Sequence, residues 1–500
     1  MKSLIEKIFN TKISTSYMFI LFGVSALMLT GYFSYAWFTV QGVQQYSVVT
    51  GNLYGTVAIG TSSVAINGQG VITYTPTTDS DTITLTVTNT NDRTVKNSIY
   101  YYNPSDSNIQ IGYTSDSPTI PNTTGVSVDQ NKTLTYKIKI NNAKGKQIKI
   151  GSSIGLSNSN LTLPSETTAF SLLKDPTGAE TLIAKANPET LDYNNATDDQ
   201  KNQMWAFAHE ATEQLKATID YRYIGANPNN YVKFNDELWR IIGVFDVDDG
   251  TGKIEKRMKI IRNISIGDYS WDNSTTESSN GTNNWLVARL NYLLNPGHES
   301  ETYGGSLYWN RKSGTCYGRW FAGNNNATTS CNFTSTGLTD EAKTMIGDAK
   351  WYLGGSSTEK DVTSSMFYTR ERGTTVYSGR NINWTGKVGL MYPSDYGYAT
   401  SGGNSTNRAS CMAKELYNWQ NDNDCKNNDW LYIPSQYQDQ WTMCPSAADS
   451  HYVFCVTSIY GFVGYSYAYD TYVIRPVVHL KSTIKITGGT GSSTDPFILG

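Results

Sequence analysis

The sequence has little of what active sites and metal centres are built from. Only four histidines occur in 500 residues. The stretch "HEATE" (His209 to Glu213) opens like a zincin helix, but a glutamate stands where the second imidazole is required, so the donor pair of a zinc site is missing. No Gly-x-Ser-x-Gly elbow, phosphate loop or dinucleotide fingerprint is present. "DVDDGTGK" (Asp246 to Lys253) starts like a calcium loop. It carries Thr251 in place of the invariant glycine and Arg257 in place of the bidentate glutamate, and reads as a hairpin turn. These absences leave no expected catalytic residue, metal ligand or cofactor, and they argue against an enzyme. The oxygen-rich cluster "NDNDCKNNDW" (Asn421 to Trp430) offers Asp422, Asp424 and Asp429 for a hard cation, but it is equally the composition of a tight loop.

Charge is scarce in two informative ways. The net charge is −3 and lysine and arginine form no stripe, which excludes a nucleic-acid footprint. Between Lys12 and Asp79 there is no acid or base at all. Within that gap, "SYMFILFGVSALMLTGYFSYAWFTV" (residues 16–40) is long and apolar enough to cross a bilayer as a helix, with Lys2, Lys7 and Lys12 before it. Positive charge on that side alone orients the N-terminus inward and the remainder outward. Either residues 16–40 stay as a single-pass anchor, or cleavage near Ala36, where "SYA" is a small-x-small site, releases the rest. Both alternatives place the bulk of the chain outside the cell, at or beyond the membrane.

Cysteine is absent before Cys316. The six that follow, Cys316, Cys331, Cys411, Cys425, Cys444 and Cys455, suit an oxidising compartment. Neighbour separations of 15, 14 and 11 favour three local bridges, 316–331, 411–425 and 444–455.

The chain divides by composition. Residues 41–165 lack cysteine and tryptophan and alternate with period two: "DTITLTVTN" places Ile83, Leu85 and Val87 on one face, and "TLTYKIKI" does the same with Leu134, Tyr136, Ile138 and Ile140. Such runs between Asn/Asp/Gly/Ser turns are half-buried antiparallel strands, and a β-sandwich is their natural closure. Residues 166–219 lose the alternation. "TDDQKNQMWAFAHEATEQLKA" (Thr197 to Ala217) spaces Met204, Phe207, Ala208, Ala211 and Leu215 near a helical period, so a helical or irregular connector is expected. Residues 220–500 hold every cysteine and all tryptophans but Trp37 and Trp205. A hairpin is predicted over Trp239 to Phe245 and Ile254 to Arg262, and helices over "NNWLVARLNYLLNPG", "TDEAKTMIGDAKWYLGG" and "SCMAKELYNWQ", so this unit is α+β.

Near the C-terminus "GYSYAYDTYVIRPVVHL" (Gly464 to Leu480) puts Tyr465, Tyr467 and Tyr469 on one side of a strand, with Ser466, Ala468 and Asp470 on the other. Pro476 marks an edge or bulge where Arg475 and His479 point together. These five, Tyr465, Tyr467, Tyr469, Arg475 and His479, are the candidate ligand-binding residues.

"DYRYIGANPNNYVKFNDELWRIIGVF", "WTGKVGLMYPSDYGYATSGG", "CKNNDWLY", "QWTMCPS" and "IRPVVHLKSTIKITGGTGSSTDPFIL" together resemble uncharacterised exported surface proteins of low-GC Gram-positive gut bacteria. More loosely, the order of elements and the terminal "RPVV" strand are similar to C-type-lectin-like domains and formylglycine-generating enzyme. That enzyme's two close cysteines have no counterpart, since no pair is closer than Cys444 and Cys455, and no Glu-Pro-Asn calcium motif occurs. "SYAWFTVQGVQQYSVVTGNL" and the threonine-rich strands resemble camelysin-like biofilm-matrix proteins. The resemblances imply a multidomain protein: a transmembrane helix or signal, an all-β sandwich stalk, then an α+β lectin-like unit that binds an extracellular glycan or protein. The alternative they leave is a structural matrix or fibre subunit, with an extracellular enzyme a third.

Overall fold

The computed structural model describes residues 55–59, 64–66, 71–115, 117, 125–158, 161, 163–173, 176–273, 281–318, 328–434 and 439–500. The apolar run over 16–40 lies outside the described residues; among those described, no helix is long and apolar enough to cross a membrane. The fold is mostly β-sheet with few, short helices. It divides after residue 175 into two compact units.

The first unit is sandwich-like, with one sheet of five strands and one of six. The strand Ser80–Asn89 pairs antiparallel with Thr133–Asn141, and Val95–Tyr102 with Ile148–Leu156. The alternation does what it should: Ile83, Leu85, Val87, Tyr136, Ile138 and Ile140 are all buried, while Thr82, Lys137 and their like are not. The buried faces meet in one core that also takes in Ile99, Ile150 and Tyr113. Short strands at Thr167–Ala169 and Ser171–Leu172 still belong to these sheets, so the start of the expected connector is sandwich edge.

The second unit starts at Pro176. Thr177 caps the helix Gly178–Ile183 in a reciprocal capping box with Glu180. The helix expected over Thr197 to Ala217 is one turn long, Asp198–Lys201. Trp205–His209 instead forms a strand paired with Thr218–Arg222. Burial explains the difference: Trp205 and Phe207 are buried and Ala206 and Ala208 are not, a period of two that the surrounding alanines disguised as helical.

The unit's main sheet has nine strands. At its centre Glu237–Asp248 pairs with Ile254–Arg262 as the predicted hairpin. Its turn is held by the Asp248 carboxylate, which accepts from the Gly250 and Gly252 amides at 2.8 and 3.0 Å. Gly250 has φ +90°, a conformation costly for residues with a Cβ, so "DDGTG" is turn chemistry rather than an ion loop. A second sheet of five strands runs in the order Asp268–Ser270, Thr471–Val473, Gln440–Pro445, Tyr452–Val456, Val463–Tyr467. The predicted helices appear shortened: Arg289–Leu294 behind a 3-10 turn capped by Asn284, Asp340–Met345 capped by Thr339, and Arg408–Ala413 capped by Asn407. The second of them stops early because Ala349–Tyr352 pairs as a strand with Asn383–Gly386.

Two of the three expected bridges form, Cys316–Cys331 and Cys411–Cys425. Cys444 and Cys455 are unbridged, a correction whose reason is register. They lie on paired strands, but Cys455 stands opposite Trp441, and an irregularity follows before Pro445 meets Val453. Burial pushes both thiols well above their ordinary range.

The non-reduced protein should therefore show no fast-reacting thiol toward maleimide when native. Two thiols should appear on denaturation, and all six cysteines after reduction. No thiol after denaturation would establish a third bridge.

Candidate functional site

Tyr465 and Tyr467 lie on Val463–Tyr467, the outermost strand of the five-stranded sheet. Each is 37 % exposed. The antiparallel register sets Tyr452 opposite Tyr467 and Phe454 opposite Tyr465. The Tyr452 ring sits between its neighbours, with centroids 4.7 Å from Tyr465 and 4.6 Å from Tyr467. Its hydroxyl is pushed up to about 12 by a hydrogen bond with Tyr467 and by burial. The strand ends at Tyr467, so Tyr469 stands in the following turn rather than on the strand itself. Its ring nonetheless stacks on Tyr467 at 5.1 Å and 8°. Four tyrosines thus make a continuous aromatic strip. Tyr452, whose place in the strip is set by register across the sheet, was missed by sequence reasoning. Ser466 and Ala468 point inward, and Ser466 is tied to Asp470 and Tyr472.

Arg475 and His479 do not join this face. Both are buried. The strand Val477–His479 is flanked on both sides, by Ile254–Arg262 and by Val388–Gly389, so Pro476 marks no sheet edge. Arg475 donates through Nε to the Arg262 carbonyl at 2.9 Å, and burial lowers its guanidinium to about 9, aided by Arg240 and Arg262. His479 packs its ring against Trp351, 4.9 Å between centroids, and stands opposite Lys259 in the register. Burial and the Lys259 charge hold it neutral, well below the ordinary imidazole range.

His479 instead belongs to a buried ionic cluster that no local pattern announced. Asp395 is its centre. The helix Pro393–Ala399 has proline at its first position and Asp395 at its third, where the carboxylate accepts the Tyr392 amide at 2.8 Å. The same carboxylate bonds Lys259 Nζ and, at 3.0 Å, Arg222 Nη1. Arg222 reaches Asp220 at 2.9 Å, and His209 Nε2 lies 3.3 Å from Asp220. The His209 ring stacks on Tyr368 at 3.8 Å, and the Arg372 guanidinium lies 3.7 Å from the centroid of the Tyr368 ring. Arg372 pairs with Glu371 at 2.9 Å, and Glu371 also accepts the Ser394 amide and hydroxyl at 2.8 and 2.5 Å.

The electrostatics follow from burial against pairing. Desolvation opposes the charge on Asp395 and Asp220, yet Lys259 and Arg222 hold the first, and Arg222 and His209 the second, below the ordinary carboxylate range. Desolvation wins at Lys259, which is lowered despite Asp395, and at Glu371, which is raised to about 7 despite Arg372. The space left among Asp220, Lys259, Tyr392, Arg372 and His479 is about 30 Å³. That holds a water or two and excludes a substrate. The cluster pins two helices, Ser364–Glu371 and Pro393–Ala399, to the main sheet.

The Asn421 to Trp430 carboxylates have protein partners: Asp422 is bonded by Lys414 and Thr406, Asp424 accepts the Ser405 and Thr406 amides, and Asp429 accepts the Leu431 amide. Among the described residues, no group of three metal-binding side chains is assembled.

Asp395→Ala would leave the buried Lys259 ammonium without its carboxylate and Arg222 with Asp220 alone, and should cost about 3–5 kcal/mol, read by urea unfolding of the tryptophan-rich second unit through its fluorescence. Glu371 makes a pH-dependent contribution of defined sign. Its pKa is raised from 4.5 to about 7 on folding, so the folded state binds the extra proton between those values, and its contribution to stability is lost as pH rises through that window. Stability of the wild type relative to Glu371→Gln should fall by roughly 3 kcal/mol between about pH 4.5 and 7; a flat difference would show that Glu371 is charged throughout.

Comparison with protein-family models, curated proteins and solved structures finds no match for this chain.

Proposed function

We propose that the protein is an exported bacterial surface protein, anchored through residues 16–40 or released near Ala36, whose second unit is C-type-lectin-like and binds an extracellular glycan or protein. The tyrosine strip carries this reading. The second unit does not lack a place to bury aromatics: Trp205, Trp239, Trp271, Trp285, Trp351, Trp419 and Trp441 are all inside it. Tyr465 and Tyr467 are left on an outer strand, held in place by Tyr452 and Tyr469. Rigid, pre-stacked tyrosines lose little side-chain entropy on contact and offer both apolar area and a hydroxyl, the combination favoured on recognition surfaces. The two disulfides agree with an oxidising exterior.

The test is retention of ligands from glycan and extracellular-protein arrays by the full chain in a detergent free of sugar. Tyr465→Ala with Tyr467→Ala should weaken retention of at least one ligand about tenfold or more. Equal retention of every ligand by the double variant, or concentration-dependent fibres with no ligand retained, would overturn the reading, the latter in favour of a matrix subunit.

A further inference from the structure

A second concavity lies where three segments of the second unit converge, and it has the opposite chemistry to the tyrosine strip. Its volume is about 420 Å³, within the ~300–1,000 Å³ of small-molecule sites. Tyr193, Asn194, Asp198, Lys201 and Asn202 come from a 3-10 turn and the one-turn helix after it, Ala226 to Pro228 from a second segment, and Ser401 to Asn404 with Asp424 and Asn428 from a third region.

The walls are built rather than incidental. Gly225 has φ +104°, and a Cβ there would meet the Tyr193 hydroxyl at 2.4 Å, so the absent side chain is what lets the tyrosine seat. A Cβ on Gly403 would lie 2.5 Å from the Asp424 carboxylate, which in turn holds the loop by accepting the Ser405 and Thr406 amides. Asn428 donates to the Asp424 carbonyl, and the Cys411–Cys425 bridge clamps the helix that carries Asp424.

Against this fixed wall, the side chains of Asn194, Asp198 and Asn404 stand exposed at the mouth and make no protein hydrogen bond or ion pair among the described residues. Lys201 rests over the Tyr193 ring at 5.6 Å. The inventory selects a ligand class. Amides both donate and accept, and carboxylates accept, which is what a hydroxyl needs from its partners. A single cation facing Asp198 and Asp424 argues against phosphate, and the only apolar contributions, Ala226, Pro228 and the Tyr193 ring, are too few for a lipid or an aromatic drug-like molecule.

We propose that this pocket binds a saccharide of one or two rings, so that the second unit carries a sugar site separate from its tyrosine strip. This rests on the surface-recognition reading but on different residues, and one experiment separates the two. The full chain in a sugar-free detergent is titrated with cellobiose, N,N′-diacetylchitobiose and digalacturonic acid by calorimetry and saturation-transfer NMR. At least one should bind. Ala226→Trp, which fills the pocket from an exposed position without removing a bond, should abolish that binding. Asn194→Ala with Asn404→Ala should weaken it about tenfold, and Tyr465→Ala with Tyr467→Ala should leave it unchanged. No binding of any of the three at about 10 mM, or binding that survives Ala226→Trp, overturns the pocket. Binding that survives Ala226→Trp but is lost in the tyrosine variant overturns the pocket and leaves the tyrosine face standing.

Discussion

The second unit depends on one carboxylate. Asp395 caps a seven-residue helix and accepts from Lys259 and Arg222, so the helix, the central hairpin and the Thr218–Arg222 strand are joined at one buried point. Ions removed from water need paired charges and hydrogen-bond partners, and Asp220, Glu371, Ser394 and the Tyr392 amide supply several here, while Arg222 Nε, Arg372 Nε and His479 Nδ1 have none among the described residues. Its consequence for function is indirect. The helices and loops around it are short and would not persist alone, so their placement is set by the pin rather than by helix propensity.

The aromatic residues of the second unit divide between its core and its outer strand. Among the described residues most tryptophans are buried; Trp271, Trp430 and Trp441 donate to the carbonyls of Thr442, Tyr223 and Tyr269, whereas Nε1 of Trp205, Trp285 and Trp419 has no partner there. Among the described residues the strand Val463–Tyr467 has no partner on its outer side, and its alternate tyrosines share one face of the sheet, where they pack against Tyr452 and Tyr469. The same unit thus carries an aromatic strip and a polar pocket of contrasting chemistry, one offering apolar area and the other directional hydrogen-bonding groups.

Several elements were legible because the signal is local. The Ser80–Asn89 and Thr133–Asn141 strands follow from strict alternation, the 237–262 hairpin from its Asp/Gly turn, and the helix starts at Thr339 and Asn284 from their caps. Bridges 316–331 and 411–425 follow from short separations. The same reasoning misassigned 204–215, since alanines at alternate positions satisfy a helical period as well as a strand's. It misassigned Cys444 and Cys455, whose pairing depends on a strand irregularity that separation does not encode.

What the amino-acid order alone determined is a matter of periodicity and charge: an uncharged apolar run over 16–40, an alternating threonine-rich segment, a cysteine- and tryptophan-rich remainder, and Tyr465 and Tyr467 two residues apart on one side of a strand. Tertiary structure alone decided that Arg475 and His479 are interior, that Asp395 meets Lys259 and Arg222 across more than a hundred residues, and that Tyr193, Asn404 and Asp424 share a pocket. The physical reason is range. Backbone hydrogen bonding and side-chain alternation act between near neighbours and leave a pattern in the chain. Burial of an ion or assembly of a cavity depends on which distant segments the core brings together.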